Sequence, residues 1–563
     1  MTEEQPRSGV TPPMFSMSRG NGDRLTRTVR SALWAAYGDA LGFISELTDN
    51  EGLSRRTKGQ PLVRPMAWTR YVGGRQGVKV LLPSGCYSDD TQLRLCCSRA
   101  IGPRGFDVEA FAKVELTVWP SYALGGGIGT KAAAANLVKD QVAWYCNTFK
   151  GWTEAGGNGA AMRVQPHVWA AADLESFASF TPDVLRDAIC THGSPTGILG
   201  AVLHAMCTAH AISRGELPRP PDVLTMIQAC EDIPEMLMRN DHEIGEIWLG
   251  LWNREAGRQF AEAWSSTVST AREAVGLVAS EASSEATSYM RVLDMLKLFD
   301  PAIRGSGLLT AIAAIALLWI EPDLAKALPV AAQALGSDTD TIATMAGAVG
   351  GAVATGDPDG SIADERLIRD EATRLFNLAE GAERPGHRYP DLLHWAPPRT
   401  QADALVEGLS GLEVVGLGPV RTGSEPILDA HGNFMWQWVE LDFGQNLLVK
   451  RRRVLNPVDG QHPKRSGPQV MRATGANTKH QSRSPRRPRG EATSADSQEP
   501  SSSQDPKPLP IDRGVELETA IGWLGENELS DKAIGYAIRR VARDGSPEQL
   551  LMLIGILRER LRH

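Results

Sequence analysis

The chain of 563 residues contains only seven cysteines, and they lack the spacing of a zinc site or a disulfide framework. All of them lie between Cys86 and Cys230, none belongs to a CxxC pair, and Cys96 and Cys97 are adjacent. An odd number of cysteines without metal spacing is typical of proteins from a reducing compartment. We therefore expect a cytoplasmic protein.

Long hydrophobic runs and a leader sequence are also lacking. The most apolar stretch, Leu308–Ile320, is shorter than the roughly 20 residues that cross a bilayer, and it predicts a buried core helix. The segment Met1–Pro6 is polar and acidic, without the basic and apolar regions of a signal peptide. We expect no membrane partner.

Charge of one sign is not in large excess. The 59 basic and 67 acidic residues leave a net charge of −8, which indicates solubility rather than nucleic-acid binding. The basic segments Lys450–Arg453 and Arg483–Arg489 have no interleaved aromatic residues. A nucleic-acid partner is therefore not expected, and one would make binding steeply dependent on salt.

Helical periodicity dominates the first two thirds of the chain, where strand patterns are scarce. Apolar residues at helical spacing predict a helix from Arg24 to Gly42, several helices between residues 197 and 300, and another over Ile362–Ala379. Residues 50–85 have no sustained period and predict an irregular loop region. The predicted fold class is mainly α.

Two carboxylates and two threonines are crowded into Asp338–Thr341, just before the small-residue run Met345–Ala352. This arrangement costs electrostatic repulsion unless a cation neutralises the carboxylates. The alternative is that Ser337 or Asp338 caps the following helix, since side-chain oxygens there accept backbone N–H bonds. Taken alone, the motif fits both interpretations.

A second stretch, Cys86–Leu93, repeats the pattern, with Ser88, Asp89 and Asp90 before a helical segment. Together the two clusters offer the hard oxygen ligands that Mg²⁺ or Mn²⁺ prefers, and neither has a His or Cys pattern suited to zinc. The pair therefore predicts a two-metal site.

Two glycine-rich loops are candidates for anion binding. Gly125–Thr130 precedes a helix but lacks a Walker lysine. Gly156–Gly159 is the better candidate, because its three glycines allow close approach to a diphosphate. Arg163 is interpreted as the partner of a nearby carboxylate, and His192 as either a structural hydrogen-bonding residue or a ligand contact.

Five motifs, in this order, resemble the ADP-ribosylglycohydrolase family, which includes the dinitrogenase-reductase-activating glycohydrolase and the ADP-ribosyl-acceptor hydrolases. They are Gly38–Gly42, Ser88–Thr91, Gly157–Arg163, Thr191–His192 and Gly336–Thr341. The resemblance covers residues 25–385. It implies a compact all-helical domain that hydrolyses the glycosidic bond at the ribose of an ADP-ribosylated protein or a related small molecule.

The resemblance also implies roles for single residues. Two Mg²⁺ or Mn²⁺ ions would be held by Ser88, Asp89, Asp90, Asp338, Asp340 and Thr341. ADP-ribose would lie against Gly157, Asn158, Gly159 and His192, and either Glu46 or Asp89 would be the general base. Ser88 stands where the family usually has threonine, so it keeps the hydroxyl and loses the methyl group that stiffens the rotamer.

Composition divides the chain into five segments. They are a disordered tail (1–22), the catalytic domain (23–385), a small β-rich module with strand patterns near 412–415, 433–441 and 447–449 (386–456), a disordered linker that is first basic and then acidic (457–510), and a helical module (511–563). Three short helices in the last segment bury little core, so we expect them to bind a protein partner.

A second function stays open, that of a non-catalytic scaffold that binds ADP-ribose. The presence of all four aspartates in the two clusters favours catalysis. The sequence does not choose between arginine, serine and other acceptors, nor between Mg²⁺ and Mn²⁺.

Overall fold

A computed structural model describes residues 19–74, 77–282, 288–392, 394–408, 411–455 and 546–560, together with single positions between 521 and 541. Contacts divide the chain into two compact units, Met1–Lys464 and Arg465–His563. Each unit is described by itself.

The first unit is mainly helical, as predicted. Its helices are α1 (Arg19–Gly42), α2 (Asn50–Thr57), α3 (Asp89–Arg99), α4 (Val108–Ala110), α5 (Leu116–Val118), α6 (Ile128–Leu137), α7 (Gln165–Trp169), α8 (Thr181–Ile189), α9 (Pro195–Arg214), α10 (Pro220–Ala229), α11 (Ile233–Asn240), α12 (Leu249–Ala256), α13 (Phe260–Ala282), α14 (Tyr289–Met295), α15 (Gly307–Ile320), α16 (Leu324–Ala332), α17 (Thr339–Gly351) and α18 (Glu365–Ala379). Helix α1 begins at Arg19, within the segment predicted as a tail, and residues 1–18 lie outside the described residues.

Helices α1 and α17 pack backbone against backbone through glycines. A Cβ atom at Gly38 would lie 2.3 Å from the carbonyl oxygen of Ala343, and one at Gly347 would lie 2.2 Å from that of Trp34. Only glycine allows such an approach, since real Cβ atoms do not come closer than about 3 Å to a backbone oxygen. This seam fixes α17 against α1.

Helices α9 and α15 fill the centre of the core. Helix α15 includes the apolar stretch that predicted a core helix, and nearly all of its side chains are buried. Among the described helices, α9 alone is long and apolar enough to cross a membrane, but 83% of its apolar window is buried inside the protein. Both helices therefore serve as core elements.

The region of residues 50–85 is more regular than predicted. It contains α2, capped by Asp49, and a hairpin of β1 (Trp68–Val72) and β2 (Val78–Leu82). The prediction of an irregular loop was wrong, because each strand has only five residues and the solvent-facing Tyr71 and Leu81 obscure the alternation of apolar and polar residues.

A six-stranded antiparallel sheet follows the helices. A short ribbon, β3 (Ile101–Gly102) and β4 (Gly105–Phe106), precedes the strands β5 (Leu405–Gly408), β6 (Gly411–Val414), β7 (Gly418–Thr422), β8 (Ile427–Leu428), β9 (Phe434–Leu441) and β10 (Asn446–Arg452). The sheet order is β10-β9-β7-β6-β5, with β8 beside β9. The patterns at 412–415, 433–441 and 447–449 correspond to β6, β9 and β10, whereas β5, β7 and β8 were not predicted.

The sheet is joined to the helices by polar contacts, of which the one between Arg99 and Gln445 is buried. The fully buried Gln445 accepts a hydrogen bond from Arg99 Nη1 at 2.6 Å. Asn446 Nδ2 donates to Asp364 Oδ1 at 2.8 Å, and Asp364 also accepts from the hydroxyl of Tyr87. The sheet is therefore connected to both ends of the segment Tyr87–Arg99, which contains the motif that begins at Ser88.

In the second unit the structure describes α19 (Pro547–Arg560). The backbone N–H of Ser546 donates to Gln549 Oε1 at 2.8 Å, and the N–H of Gln549 donates to Ser546 Oγ at 3.3 Å. This is a capping box with proline at the first helical position. The predicted linker and most of the other two C-terminal helices lie outside the described residues.

Candidate active site

The first acidic cluster lies at the N-terminus of α3 and is held there by Asp39. The fully buried carboxylate of Asp39 accepts hydrogen bonds from the backbone N–H groups of Ser88 and Thr91, both at 2.8 Å. Ser88 Oγ in turn accepts from the N–H of Asp90 and caps the helix. Asp39 thus connects α1 to α3 and fixes the position of the first turn of α3, which contains Asp89 and Asp90.

The second cluster lies at the N-terminus of α17. Thr339 Oγ1 donates to the carbonyl oxygen of Gly42 at 2.9 Å, and a Cβ at Gly42 would lie 2.4 Å from the carbonyl oxygen of Thr339. Asp338 makes no side-chain capping bond and Ser337 Oγ donates to Ala334, so neither residue caps α17. The interpretation of Ser337 or Asp338 as a side-chain cap is therefore wrong. At the first cluster Ser88 does cap its helix, which was not predicted.

The buried carboxylates of Asp90 and Asp340 lie in the same site, among other acidic side chains. Asp90 is 2% exposed, and its Oδ1 has no hydrogen-bond partner. Burial raises the pKa of Asp90 well above its ordinary value, and the charges of Asp39, Asp89 and Asp338 add to the effect. The pKa of Asp340 is also raised well above its ordinary value, first by burial and then by the charges of Glu46, Asp90 and Asp338. A cation at this position would relieve both costs.

Glu46 and Asp89 are the two candidate bases, and their surroundings differ. Burial raises the pKa of Asp89 to about 7, with further contributions from Glu46 and Asp39, and Gly125 packs against its carboxylate. Burial also raises the pKa of Glu46, but its Oε2 lies 3.3 Å from Arg70 Nη1, which favours the ionised form. The Glu46 side chain is 17% exposed, so water reaches it.

The glycine-rich loop contacts the second acidic cluster. Asn158 Nδ2 donates to Asp338 Oδ2 at 2.9 Å, and Gly157 pairs with Ser306 at the start of α15. Arg163 is fully buried and donates to the carbonyl oxygen of Gly159 and to Asp187 Oδ1. The expected carboxylate partner of Arg163 is therefore Asp187, and this ion pair supports the loop from below.

His192 lies under the same loop. Its ring is 2% exposed, and its Nδ1 shares a 2.7 Å hydrogen bond with Thr191 Oγ1. Cβ atoms at Gly157 and Gly159 would lie 3.6 and 3.4 Å from its Nε2. Burial, with the charge of Arg163, lowers the pKa of His192 to about 3, so the imidazole is neutral.

A separate buried group was not foreseen. Potential ligand atoms of Cys97, His167 and Asp187 lie within 4.8 Å of one another, the one such set among the described residues. Burial and the charge of Asp187 raise the pKa of Cys97 well above its ordinary value, and Arg163 already pairs with Asp187. This group is a hydrogen-bonded support of the core, since a protonated thiol beside a guanidinium is a poor metal ligand. The aspartates of the candidate site are spaced more widely.

The second unforeseen residue is Arg70, on the hairpin. Its guanidinium lies 4.4 Å from the ring centre of Phe43 and contacts Glu46. A Cβ at Gly73, at the tip of the hairpin, would lie 2.3 Å from Trp436 of β9. The acidic motifs can be recognised in the sequence, but no local pattern indicates that Arg70 on a strand pairs with Glu46 in a loop.

The protein is mainly helical. Its candidate site is formed by the acidic N-termini of the buried helices α3 and α17, beside a glycine-rich loop. The chain belongs to the ADP-ribosylglycohydrolase family, whose model matches residues 21–381. The resemblance inferred from the motifs is confirmed. Membership supports a glycohydrolase of ADP-ribosyl compounds.

Among solved structures, the chain is similar to one described as an ADP-ribosylglycohydrolase-related protein complex. The identity is 20%, the TM-score is 0.41, and the match covers 64% of this chain and 99% of that one. A comparison with curated proteins found no match.

Proposed function

We propose that this protein is a metal-dependent hydrolase that removes ADP-ribose from modified protein side chains. The observation that carries the proposal is the buried Asp90 Oδ1, which lacks a partner in a site with three further aspartates. The six candidate ligand residues offer oxygen atoms and include no Cys or His, so they suit Mg²⁺ or Mn²⁺ better than zinc.

Two such ions would be held by the six oxygen-bearing residues Ser88, Asp89, Asp90, Asp338, Asp340 and Thr341. Bound ions would neutralise the carboxylates and supply Lewis acidity toward the ribose hydroxyls. Asn158 orients Asp338 through its amide, and Asp39 holds the first turn of α3 in place. These contacts fix the ligand oxygens before a substrate arrives.

In this proposal Glu46 is the general base that accepts the proton of the attacking water. It is more exposed than Asp89, and the charge of Arg70 opposes the rise in its pKa that burial causes. Asp89, packed against Gly125, acts as a ligand only. The backbone of Gly157–Gly159 lies against the diphosphate, and the neutral His192 supports this loop from beneath.

The test measures release of ADP-ribose from an arginine-ADP-ribosylated protein and from a serine-ADP-ribosylated peptide, with Mg²⁺, Mn²⁺ or a chelator. We expect cation-dependent release that falls at least about a hundredfold in Asp90→Asn and Asp340→Asn. Asp294→Asn removes an exposed carboxylate on α14 and serves as the matched control.

The rise in Tm on adding the cation distinguishes a residue that binds the metal from one that acts as the general base. Asp89→Asn should lose both the rise in Tm and the activity, whereas Glu46→Gln should keep the rise in Tm and lose activity. If ADP-ribose binds but neither substrate is cleaved, the protein is a binding scaffold and the hydrolase proposal fails for these linkages.

A further inference from the structure

A groove adjoins the candidate site beside Glu46 and Asp338. It has a volume of about 540 Å³ and is lined by Leu47, Thr48, Asp49, Arg55, Arg304, Gly336 and Ser337. Leu47 follows the candidate base Glu46, and Ser337 precedes the candidate ligand Asp338. A group attached to the ribose at the site would therefore have this groove beside it.

The groove contains one cation without a counter-ion. Asp49 Oδ1 accepts from the N–H of Gly52 as the cap of α2, and Arg55 is paired with Glu51. The half-buried Arg304 lies in the turn before α15, and within the described part of the chain no hydrogen bond or ion pair engages its guanidinium. An arginine that gives up part of its hydration without a partner is an attachment point for an anion.

The backbone next to Arg304 lies close to the acidic cluster of the candidate site. A Cβ at Gly305, next to Arg304, would lie 3.9 Å from Asp338 Oδ2. The residue that follows Arg304 therefore lies close to Asp338 of the acidic cluster. Leu47, 60% exposed, supplies an apolar wall on the other side.

From these contacts we infer that the groove binds the acceptor peptide, and that Arg304 selects acceptors with acidic residues beside the ADP-ribosylated side chain. This inference rests on the proposed hydrolase function and names its substrate class. Acceptors that are themselves cationic, such as an arginine linkage, meet a like charge in the groove and are disfavoured.

The experiment uses the full chain and serine-ADP-ribosylated peptides of one length, flanked by two aspartates or by two lysines. At low ionic strength we expect kcat/KM to favour the acidic peptide by about three- to tenfold, mainly through KM. Raising the salt to about 0.5 M should reduce the preference. Arg304→Glu should abolish or reverse it.

The matched control is Arg254→Glu, which makes the same charge change at an exposed position on α12. It should leave the preference of the unmodified chain intact. An equal preference in Arg304→Glu and in Arg254→Glu, or no preference in the unmodified chain, would overturn the inference while the hydrolase function stands.

Binding of the same peptides with a chelator present supplies a readout that needs no turnover. If no peptide is cleaved, the proposed function fails for this linkage, and fluorescence anisotropy still decides the inference. Tighter binding of the acidic peptide that is lost in Arg304→Glu would support it, and equal affinities would refute it.

Discussion

At the scale of single residues, Arg70 opposes the effect of burial on Glu46. Burial raises the pKa of Glu46, the guanidinium of Arg70 lowers it, and the charge of Asp338 raises it again. Phe43 and Trp68 hold the guanidinium over their rings. Arg70 is a positioning residue in this scheme, since it acts on the reaction through Glu46.

Arg70→Gln should therefore raise the pKa of Glu46 further. If Glu46 must be ionised to accept a proton, the acidic limb of the kcat/KM profile should move to higher pH by up to about one unit. The measurement is the pH profile of ADP-ribose release. Lys79→Gln removes a charge from the exposed face of the same hairpin and should leave the limb in place; an unmoved limb in both variants would argue against this role for Glu46.

The ion pair between Arg163 and Asp187 is a second residue-scale feature. Burial alone would raise the pKa of Asp187, but the charge of Arg163 and hydrogen bonds from His167 and Arg163 hold it below the ordinary value. Asp187→Asn leaves Arg163 buried without a counter-charge, which costs about 3–5 kcal/mol of unfolding free energy. Urea unfolding at pH 7 measures the loss, with Asp294→Asn as the control.

This contribution should also depend on pH in a defined direction. A folded-state pKa below the unfolded value means that ionised Asp187 stabilises the protein above about pH 4, and that the stabilisation is lost as pH falls through the folded pKa. The difference in the free energy of unfolding between the unmodified chain and Asp187→Asn should become smaller as the pH is lowered from 4 toward 3. A constant difference would mean that packing, not the charge, is lost.

At the scale of elements, the seam between α1 and α17 is the most sensitive feature. Gly38→Ala places a methyl group where the carbonyl oxygen of Ala343 already lies, so the helices must separate. We expect a loss of at least about 1–3 kcal/mol and a weaker cation-induced rise in Tm, because α17 carries Asp340 and Thr341. Thermal unfolding with and without Mn²⁺ measures both effects.

Gly276→Ala is the matched control for this prediction. Gly276 is exposed within α13 and has open space around its Cβ position. The substitution should stabilise the protein by about 0.5–1 kcal/mol, because alanine loses less backbone entropy than glycine in a helix. If Gly38→Ala behaves like Gly276→Ala, the seam is looser than described.

How much of each element the sequence predicts depends on the length of its pattern. The apolar run of α15 and the long strand β9 were predicted because their periodicity extends over many residues. The hairpin β1–β2 was missed because its strands are short and expose apolar residues on the solvent face, and the two-residue strand β8 has no period at all. Short elements take their conformation from tertiary neighbours.

At the scale of the whole molecule, the sheet of β5–β10 is part of the first compact unit. A chain that ends at Lys464 should keep the main unfolding transition, because that unit is contained in it. A chain that ends at Arg399 should unfold at a clearly lower temperature or aggregate, because Arg99 loses Gln445 and the apolar face under the sheet is exposed. Calorimetry of the two truncations tests this.

The residues of the candidate site could be predicted from the sequence to the extent that they lie in local motifs. The acidic clusters, the glycine-rich loop and the pairing of Arg163 with a carboxylate could be inferred from residue types and order. The partners Arg70 and Arg304, and the choice of Asp187 for Arg163, depend on contacts between segments far apart in the chain. A single sequence carries no signal for such pairings.

The contact between Thr339 and Gly42 joins positions 297 residues apart. During synthesis, α1 and α3 leave the ribosome long before α17, so the first acidic cluster is present without the second for most of the time that the chain is being made. Neither substrate nor cation can meet a complete site in that interval. Under the proposed function, a nascent or prematurely terminated chain without α17 would have no complete metal site, and activity would begin only after α17 docks against α1.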